Sequence, residues 1–478
     1  MARFLPVGGW LRLLTLAAFI PLLGACSESD DGGCPRDAHA GFEARAPFDG
    51  RARVRRVDCG FRSGVEGMVV AADGSTWLRR IEYADHGDES FFYPPNKLLT
   101  HVGPGGELLG ELRMPEFIQD FVVHPSGELT VLGWDKPQDP KTVQVRRLRP
   151  DGSVIAERLF GIDIPPEERL YYQASPDGNL VKVALPEEDR AVGVVTARAQ
   201  GEDVFMVVGA DGLRLVHLDS ALQTRWASVV APSVGLVGAN SEQVRAMGGP
   251  FVGWHLDVDE AGRIHVASPF LEVYRRAYAE AFRSLPEGDE GRGILLTTFE
   301  PTGARRSARV VGTDTADDLS GLVVRGDTFV LGARTSTPST QANKRIDTDL
   351  FFASGRWDGT GDGGVTRLIS LDRDDESVSL IPCGEGRYCL AGHTAYEELK
   401  TGRTLEGGKG FVLALDARGE QQDLLLLEGQ RDTEVLSAVP GPGGSVVFAF
   451  ATNQYGDTGR VGYPFKDNEV WLGVFGGP

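Results

Sequence analysis

Cys26 is the residue whose sequence context most clearly specifies a chemical fate. A short basic start leads into the apolar run 13–23, and small residues at 24–25 come directly before Cys26. A basic start, a short apolar core and small residues at the junction are the three parts of a secretory signal. The apolar run is about half of the ~20 residues that a membrane-spanning helix needs. Residues 1–25 are therefore predicted to be a cleaved signal.

The segment Leu23-Gly24-Ala25-Cys26 resembles the lipobox of bacterial lipoproteins. The resemblance implies cleavage before Cys26 and a diacylglyceryl group on its sulfur. Lipoproteins of this kind carry several acyl chains, and stable anchoring needs more than one. Ser27 is similar to the signal that sorts lipoproteins to the outer membrane. The resemblance thus implies an exported protein, anchored through its N-terminal lipid and facing the periplasm or the cell surface.

The other four cysteines form an even set in an oxidising compartment, which favours disulfides. The segment between Cys383 and Cys389 is typical of a hairpin tip, so these two are predicted to be bonded. Cys34 then pairs with Cys59 and ties the N-terminal segment to the folded body. Neither pair has the Cys-x-x-Cys spacing of redox catalysts or zinc sites.

One acidic segment has oxygen ligands at the alternate positions that are typical of a calcium loop. Asp358, Thr360 and Asp362 are separated by glycines. The bidentate glutamate that closes such a loop is missing, because Ile369 stands at its position. A second acidic segment spans residues 372–376. We interpret both as solvated turns with calcium binding as the alternative, and no other cofactor is predicted.

The remaining candidates for catalysis are scattered along the chain. The one local grouping of histidines and aspartates surrounds a predicted turn and contains His255, Asp257, Asp259 and His265. The sequence contains no zinc-hydrolase, nucleophile-elbow or phosphate-loop signature. It therefore favours a non-enzymatic role, although a site built from one residue of each of several repeats would leave no local motif.

The formal net charge of the chain is −19. A strongly acidic protein repels the phosphates of nucleic acids, so no nucleic-acid partner is predicted. The charge suits solubility, basic partners or divalent cations.

From about residue 60 onwards one unit repeats: an apolar strand, a turn with glycine, a second apolar strand, a polar loop, a third strand, another turn and a short fourth strand. Glycines between β-branched runs are a strong hairpin signal. The glycine of the first turn recurs at positions 74, 127, 178, 262, 326, 386 and 444. The third unit is longer than the others and holds another candidate turn at Asp211-Gly212. Seven units are predicted, with eight as the alternative.

The unit is typical of a propeller blade. The predicted inner strands, such as 446–450, are apolar runs, as expected for strands that are covered on both faces. A small sheet with two apolar faces is not stable alone, and radial stacking buries both. We therefore predict an all-β fold, a single β-propeller of four-stranded blades over residues 50–478, with a sandwich array or a β-helix as alternatives. The best helical candidate is residues 271–284.

The two ends of the predicted propeller complement each other. The last unit ends at residues 470–475 without a fourth strand, and a spare strand-like segment lies at residues 52–59. We predict that this N-terminal segment completes the last blade and so removes an open edge. Residues 26–49 then form a lipidated acidic tether.

Over roughly residues 64–475 the units resemble the loosely defined propeller repeats of secreted and surface bacterial proteins, as in Arg147-Leu148-Arg149-Pro150-Asp151-Gly152. Such repeats serve many functions and share no catalytic residues. The expected function is a binding or scaffolding module at the cell envelope, with an unidentified envelope protein or glycan as partner. The alternative is a propeller enzyme, similar to lactonases, glycosidases or quinoproteins, with its site in the central channel. Partners are expected at the long loops 134–142, 270–292, 335–348 and 395–409.

Overall fold

The computed structural model describes residues 41–476 of the chain, with gaps. Residues outside the description are 1–40, 45–49, 59–62, 83–95, 115–116, 135–141, 161–169, 175–178, 184–192, 210–211, 237–252, 271, 289–292, 313–316, 339–345, 360–363, 372–374, 395–407, 428–432, 454–467 and 477–478.

Blades 1 to 6 are each built on an antiparallel meander of four strands in chain order, whereas blade 7 has three such strands and takes its fourth from the N-terminal segment. Two strands precede the first blade: β1 (Glu43–Ala44) and β2 (Ala52–Asp58). Blade 1 consists of β3 (Ser63–Val70), β4 (Thr76–Glu82), β5 (Asn96–Val102) and β6 (Leu108–Met114). Blade 2 consists of β7 (Phe117–Val123), β8 (Leu129–Trp134), β9 (Val143–Leu148) and β10 (Val154–Phe160).

Additional elements surround blades 3 and 4. A hairpin of β11 (Tyr171–Ala174) and β12 (Leu180–Lys182) precedes blade 3. Blade 3 consists of β13 (Gly193–Gln200), β14 (Asp203–Gly209), β15 (Leu213–Leu218) and β16 (Thr224–Ala231). Strand β17 (Ser233–Leu236) follows it and pairs with β11. Blade 4 consists of β18 (His255–Val258), β19 (Ile264–Phe270), β21 (Gly293–Phe299) and β22 (Arg305–Val311). Between β19 and β21 lie helix α1 (Glu272–Phe282) and strand β20 (Glu287–Gly288).

The last three blades are regular. Blade 5 consists of β23 (Asp317–Arg325), β24 (Thr328–Pro338), β25 (Ile346–Arg356) and β26 (Val365–Ile369). Blade 6 consists of β27 (Asp375–Pro382), β28 (Arg387–Thr394), β29 (Lys409–Asp416) and β30 (Gln421–Leu427). Blade 7 contains β31 (Thr433–Pro440), β32 (Val446–Asn453) and β33 (Asn468–Phe475).

The seven blades close into a ring. The first strands of the blades contact one another in the cyclic order β3, β7, β13, β18, β23, β27, β31 and back to β3, so they are the inner strands. The outer strand of blade 7 is β2, which pairs antiparallel with β33 and places Val54 opposite Gly473. The predicted seven-bladed propeller, with its last blade completed by an N-terminal strand, is confirmed.

Each seam between neighbouring blades contains one hydrophobic cluster. The cluster between blades 6 and 7 includes Ala52 and Val54 of β2, both fully buried. Burying one valine side chain contributes about 1.5–3 kcal/mol, so the closing strand stabilises the ring through packing as well as through its ladder.

The third unit differs from the prediction. The candidate turn at Gly178 lies outside the described residues, and the strands on either side of it, β11 and β12, belong to a separate sheet with β17. The first turn of blade 3 is instead Gly201-Glu202, which joins β13 to β14. Asp211-Gly212 falls between β14 and β15, so the long unit is one blade with an added hairpin.

Helix α1 confirms the predicted helix, but its position differs from the expected partner loop. The Tyr278 side chain lies in the cluster between blades 3 and 4, and its hydroxyl accepts a hydrogen bond from Arg305 Nη1 at 2.9 Å. Strand β20 pairs parallel with the outer strand β22. Helix α1 therefore packs at the seam between blades 3 and 4, and β20 extends the outer edge of blade 4.

The predicted disulfide between Cys383 and Cys389 is present. It spans the turn from β27 to β28, and both cysteines are buried in the cluster between blades 6 and 7. Cys26, Cys34 and Cys59 lie outside the described residues.

Deleting residues 50–60 should abolish cooperative unfolding, because it removes β2 and exposes both the edge of β33 and the cluster that contains Val54. Thermal melting followed by circular dichroism measures this. Val54→Asp should lower the melting temperature strongly, since it buries a charge without a partner.

The matched control is Ile155→Asp on the outer strand of blade 2, where the side chain is partly exposed. It should leave the melting curve nearly unchanged, because surface substitutions usually change stability by less than about 0.5 kcal/mol. A deletion variant that melts like the parent would contradict the role of β2.

Candidate binding face

The two faces of the ring differ in the connections they carry. The turns from first to second strand and from third to fourth strand are short and lie on one face, which we call the turn face. The connections from second to third strand lie on the opposite face, the loop face, where the inner strands also begin. They include the longest connections of several blades, such as residues 83–95 and 454–467.

Glycine permits the tight turns of the turn face. Gly74 and Gly127 have φ of 83° and 82°, in the left-handed region that other residues rarely adopt. In the first of these turns, Asp73 accepts hydrogen bonds from the backbone and hydroxyl of Ser75, and these bonds lower the pKa of Asp73. Trp77, which follows, is buried.

Three of the four expected partner loops, 134–142, 335–348 and 395–409, connect second to third strands and therefore leave the ring at the loop face. Most of their residues lie outside the described part of the chain. The described side chains of this face are those on the strands beside the loops.

Three successive inner strands each place one carboxylate near the loop face. These are Asp318 of β23, Glu376 of β27 and Glu434 of β31. Each stands two residues before the extra residue of a β-bulge in its strand. Because a bulge re-aims side chains at the same point of each strand, the three acids occupy equivalent positions in the three blades.

Two basic side chains on the second strands link these acids. Arg334 lies opposite Asp318 and donates to its Oδ2 from Nε at 2.8 Å, and it also pairs with Glu376. His393 lies opposite Glu376, with Nε2 at 3.5 Å from Glu376 Oε2 and Nδ1 at 3.7 Å from Glu434 Oε1. These five residues, which we call the acid–base arc, span blades 5, 6 and 7.

The arc combines exposed acceptors with a buried ring. The side chain of Asp318 is 57% exposed, whereas that of His393 is 8% exposed. The three carboxylates of the arc outnumber its two basic side chains, so the arc has a net negative charge. Carboxylates bind ammonium, guanidinium and hydroxyl groups through hydrogen bonds. The arc can therefore bind a cationic or hydroxyl-bearing group of a partner.

Other polar side chains of the inner strands are used within the ring. Asp120 Oδ2 accepts the backbone N–H of Ala197 at 2.7 Å, across the seam between blades 2 and 3. Asp257 Oδ2 accepts that of Val324 at 2.9 Å, across the seam between blades 4 and 5. Burial raises the pKa of Asp120, and nearby Arg79 opposes this shift. These carboxylates join neighbouring blades.

A charged cluster lies beside the inner strand of blade 1. Lys97 Nζ pairs with the Glu66 carboxylate, and Arg79 Nε lies 3.4 Å from Glu66 Oε2. Burial lowers the pKa of Lys97, and the Glu66 carboxylate opposes this shift. The single carboxylate of Glu66 is therefore shared by two basic side chains.

The predicted grouping of His255, Asp257, Asp259 and His265 divides into separate contacts. His265 Nε2 lies 3.2 Å from Asp259 Oδ2, and its Nδ1 lies 3.1 Å from Thr298 Oγ1. The side chains of His265 and Asp259 are fully buried at the turn face, so this network stabilises blade 4. His255 lies opposite Ala267.

His255 is on the inner strand of blade 4 and hydrogen-bonds to the backbone of Leu319 in blade 5. Burial lowers its pKa to about 4, because desolvation disfavours the charged ring. The neutral form of His255 is therefore part of the seam between blades 4 and 5.

Of the three candidate calcium ligands, only Asp358 is among the described residues. Asp358 pairs with Arg356 Nη2 at 3.1 Å, and Thr360 and Asp362 lie outside the described residues. Of the second segment, Asp375 is buried and accepts a hydrogen bond from the Leu371 backbone at 2.6 Å. Across the described ranges, no group of three or more His, Cys, Asp or Glu residues is placed to hold a metal ion.

The sequence reasoning missed the acid–base arc. In the sequence, Glu376 stands out only as part of an acidic segment, and His393 belongs to no local motif. One signal was available: units 5, 6 and 7 each carry an acid at the equivalent position near the start of the first strand, namely Asp318, Glu376 and Glu434. The basic partners could not be assigned without the strand register.

No protein-family model matches the chain, and no curated protein matches it in sequence. Among solved structures, the chain is similar to the polysaccharide lyase Uly1, with 11% identity, a TM-score of 0.43, and coverage of 86% of this chain and 89% of that chain. It is also similar to the WD40 domain of SCAP from fission yeast, with 9% identity, a TM-score of 0.35, and coverage of 89% and 98%.

A third similar structure is a member of the DUF4221 family from Bacteroides vulgatus, with 8% identity, a TM-score of 0.34, and coverage of 88% of this chain and 98% of that chain. With TM-scores this low, these likenesses carry no functional argument. The propeller assignment comes from the strand pairing of the chain itself.

Acid should destabilise the propeller through His255. The folded pKa of about 4 lies below the ordinary value of 6.5, so the folded state binds fewer protons. The contribution of neutral His255 is complete above pH 6.5 and is lost as the pH falls toward 4. The melting temperature of the parent should fall over this window, and that of His255→Gln should fall less.

Melts between pH 4 and 8 measure the difference. Burial also lowers the pKa of His265, so protonation of this residue likewise destabilises the fold in acid. His255→Gln should therefore flatten the curve only in part. Parallel pH curves for the parent and the variant would contradict the role of His255.

Proposed function

We propose that this protein is an exported β-propeller, anchored through a lipid on Cys26, which binds an envelope protein or a glycan on its loop face. The observation that carries the proposal is the asymmetry of the ring. Long connections gather on the loop face, and the exposed carboxylates of the acid–base arc lie beside them. Binding residues are commonly carried on loops that a rigid scaffold positions.

The arc supports a partner with cationic or hydroxyl groups. Its carboxylates come from three blades, so a partner bound to them would contact adjoining blades at once. The exposed carboxylates of Asp318 and Glu376 share Arg334, which fixes their spacing. Because Arg334 already holds the two carboxylates in place, less conformational entropy is lost when a partner binds to them.

The lipid anchor is supported by the signal-like segment and by the residues around Cys26. Within the described part of the chain, no helix is long and apolar enough to cross a bilayer. The anchor is a proposal about residues that precede that part.

Replacing the acylated cysteine should release the protein. In cells supplied with labelled palmitate, the parent should incorporate label and sediment with membranes. Cys26→Ser should incorporate none and should lose its membrane association, because the acyl chains supply the hydrophobic anchor. Cys383→Ser/Cys389→Ser is the control, since those cysteines are buried in the ring. Unlabelled, soluble parent protein would refute the anchor.

Neutralising the arc should weaken the partner complex. Pull-down of the acylated parent from its native envelope, followed by identification of what is retained, gives the partner. Glu376→Gln/Glu434→Gln should retain it more than about tenfold less, because a hydrogen bond to a charged group is worth about 1.5–3 kcal/mol and about 1.4 kcal/mol corresponds to tenfold.

The matched control is Glu420→Gln on the turn face, where Glu420 pairs with Arg367 Nη2 at 3.1 Å. It should retain the partner like the parent. Equal losses in both variants, with unchanged melting temperatures, would place the partner elsewhere on the protein. Turnover of a retained glycan or lactone, lost in His393→Gln, would favour the alternative of a propeller enzyme, because His393 lies between two carboxylates from different blades.

A further inference from the structure

We propose that the rim of blades 1 and 2 rests on the surface of the bilayer. This inference depends on the proposed lipid anchor at Cys26, and it names the side of the ring that the anchor brings to the membrane. The rim is defined by the outer strands β6 and β10 and by the turn before β10.

The described chain begins at the seam between blades 7 and 1. Strand β1 pairs with β2 on the outer side of blade 7. The Phe42 backbone then donates to the carbonyl of Gly105, in the turn before β6, at 2.9 Å. Phe42 itself packs on the cluster between these two blades. The segment that leads back to Cys26 therefore starts beside the rim of blade 1.

The number of residues limits the distance to the anchor. Cys26 and Gly41 are 15 positions apart in the chain, so they are separated by at most about 50 Å. Side chains close to Gly41 are thus held near the bilayer more often than those across the ring.

Exposed apolar side chains concentrate on this rim. Leu109 of β6 and Val154, Ile155 and Leu159 of β10 are among the exposed large hydrophobic residues of the described chain. The two strands approach each other at the turn before β10, where a Cβ on Gly152 would lie 3.0 Å from Leu112 Cδ2 of β6. Exposed apolar side chains that concentrate in one region mark a contact site.

The charge of the two strands permits contact with anionic headgroups. Glu111 and Glu157 are balanced by Arg113 and Arg158, whereas the whole chain has a net charge of −19. An acidic surface would be repelled from anionic lipid, and this rim is not. Its leucine, valine and isoleucine side chains can enter the headgroup boundary, where binding scales with the buried apolar area.

The test compares two leucines with the same exposure. Leu109 and Leu368, on the outer strand of blade 5, are each 51% exposed. The acylated protein, with a fluorophore on Leu109→Cys or Leu368→Cys and with Cys34 and Cys59 replaced by serine, is incorporated into vesicles of phosphatidylethanolamine and phosphatidylglycerol that contain nitroxide-labelled lipid. Fluorescence at 109 should be quenched several-fold more than at 368. Equal quenching, or more at 368, would overturn the proposal.

One further variant and a measurement without vesicles separate the causes. Val154→Thr/Ile155→Thr/Leu159→Gln, with the label at 109, should reduce the quenching several-fold while the anchored fraction is unchanged; unchanged quenching would overturn the role of the rim. The label at 109 is also examined without vesicles. If it is shielded from solvent there, and if the shielding increases with protein concentration, the rim binds a second copy of the protein and the proposal fails.

Failure of the lipid anchor gives a different result from failure of the rim contact. Protein that does not associate with the vesicles contradicts lipidation of Cys26, and a histidine tag at position 26 on chelator lipid then repeats the comparison. Preferential quenching at 109 in that arrangement supports the rim alone, and its absence overturns it.

Discussion

The pairing of β2 with β33 is the interaction on which the rest of the structure depends. Each blade packs only against its two neighbours, so every seam but one joins blades that follow each other in the chain. The remaining seam joins blade 7 to blade 1, and β2 links the two, because it pairs with β33 of blade 7 and directly precedes β3 of blade 1 in the chain. Without that pairing the cluster between blades 6 and 7 would lose Ala52 and Val54, and the edge of β33 would be open.

Closure also accounts for the polar residues at the centre. Seven inner strands converge on one axis, and each pairs with another strand of its own blade on one side only, so some of its backbone N–H groups have no partner within the blade. Asp120, Asp257 and Ser379 accept these N–H groups from the next blade. Buried backbone donors must be paired, so a polar centre is first a requirement of the ring. The acid–base arc differs because its carboxylates remain partly exposed.

The sequence predicted the fold well because the evidence for blades is local. Turn glycines, apolar strands and the hairpin cysteines lie within a few residues of one another, and the missing last strand had one obvious replacement at residues 52–59. The first turn of the third unit was predicted at the wrong place, because the true turn, Gly201-Glu202, has no Asp-Gly pair, whereas the added hairpin has one. The arc could not be assembled from sequence, since Arg334 and His393 meet their acids only through cross-strand register and blade stacking.

Strand β2 has a consequence for how the chain matures. It is synthesised before β3, yet its partner β33 follows β32, so blade 7 stays incomplete until all the other blades have been made. Contacts between such distant residues form slowly, and incomplete chains expose apolar surface meanwhile. A nascent chain that is halted late should therefore depend on holding chaperones to escape aggregation, even though most of its blades have already been made.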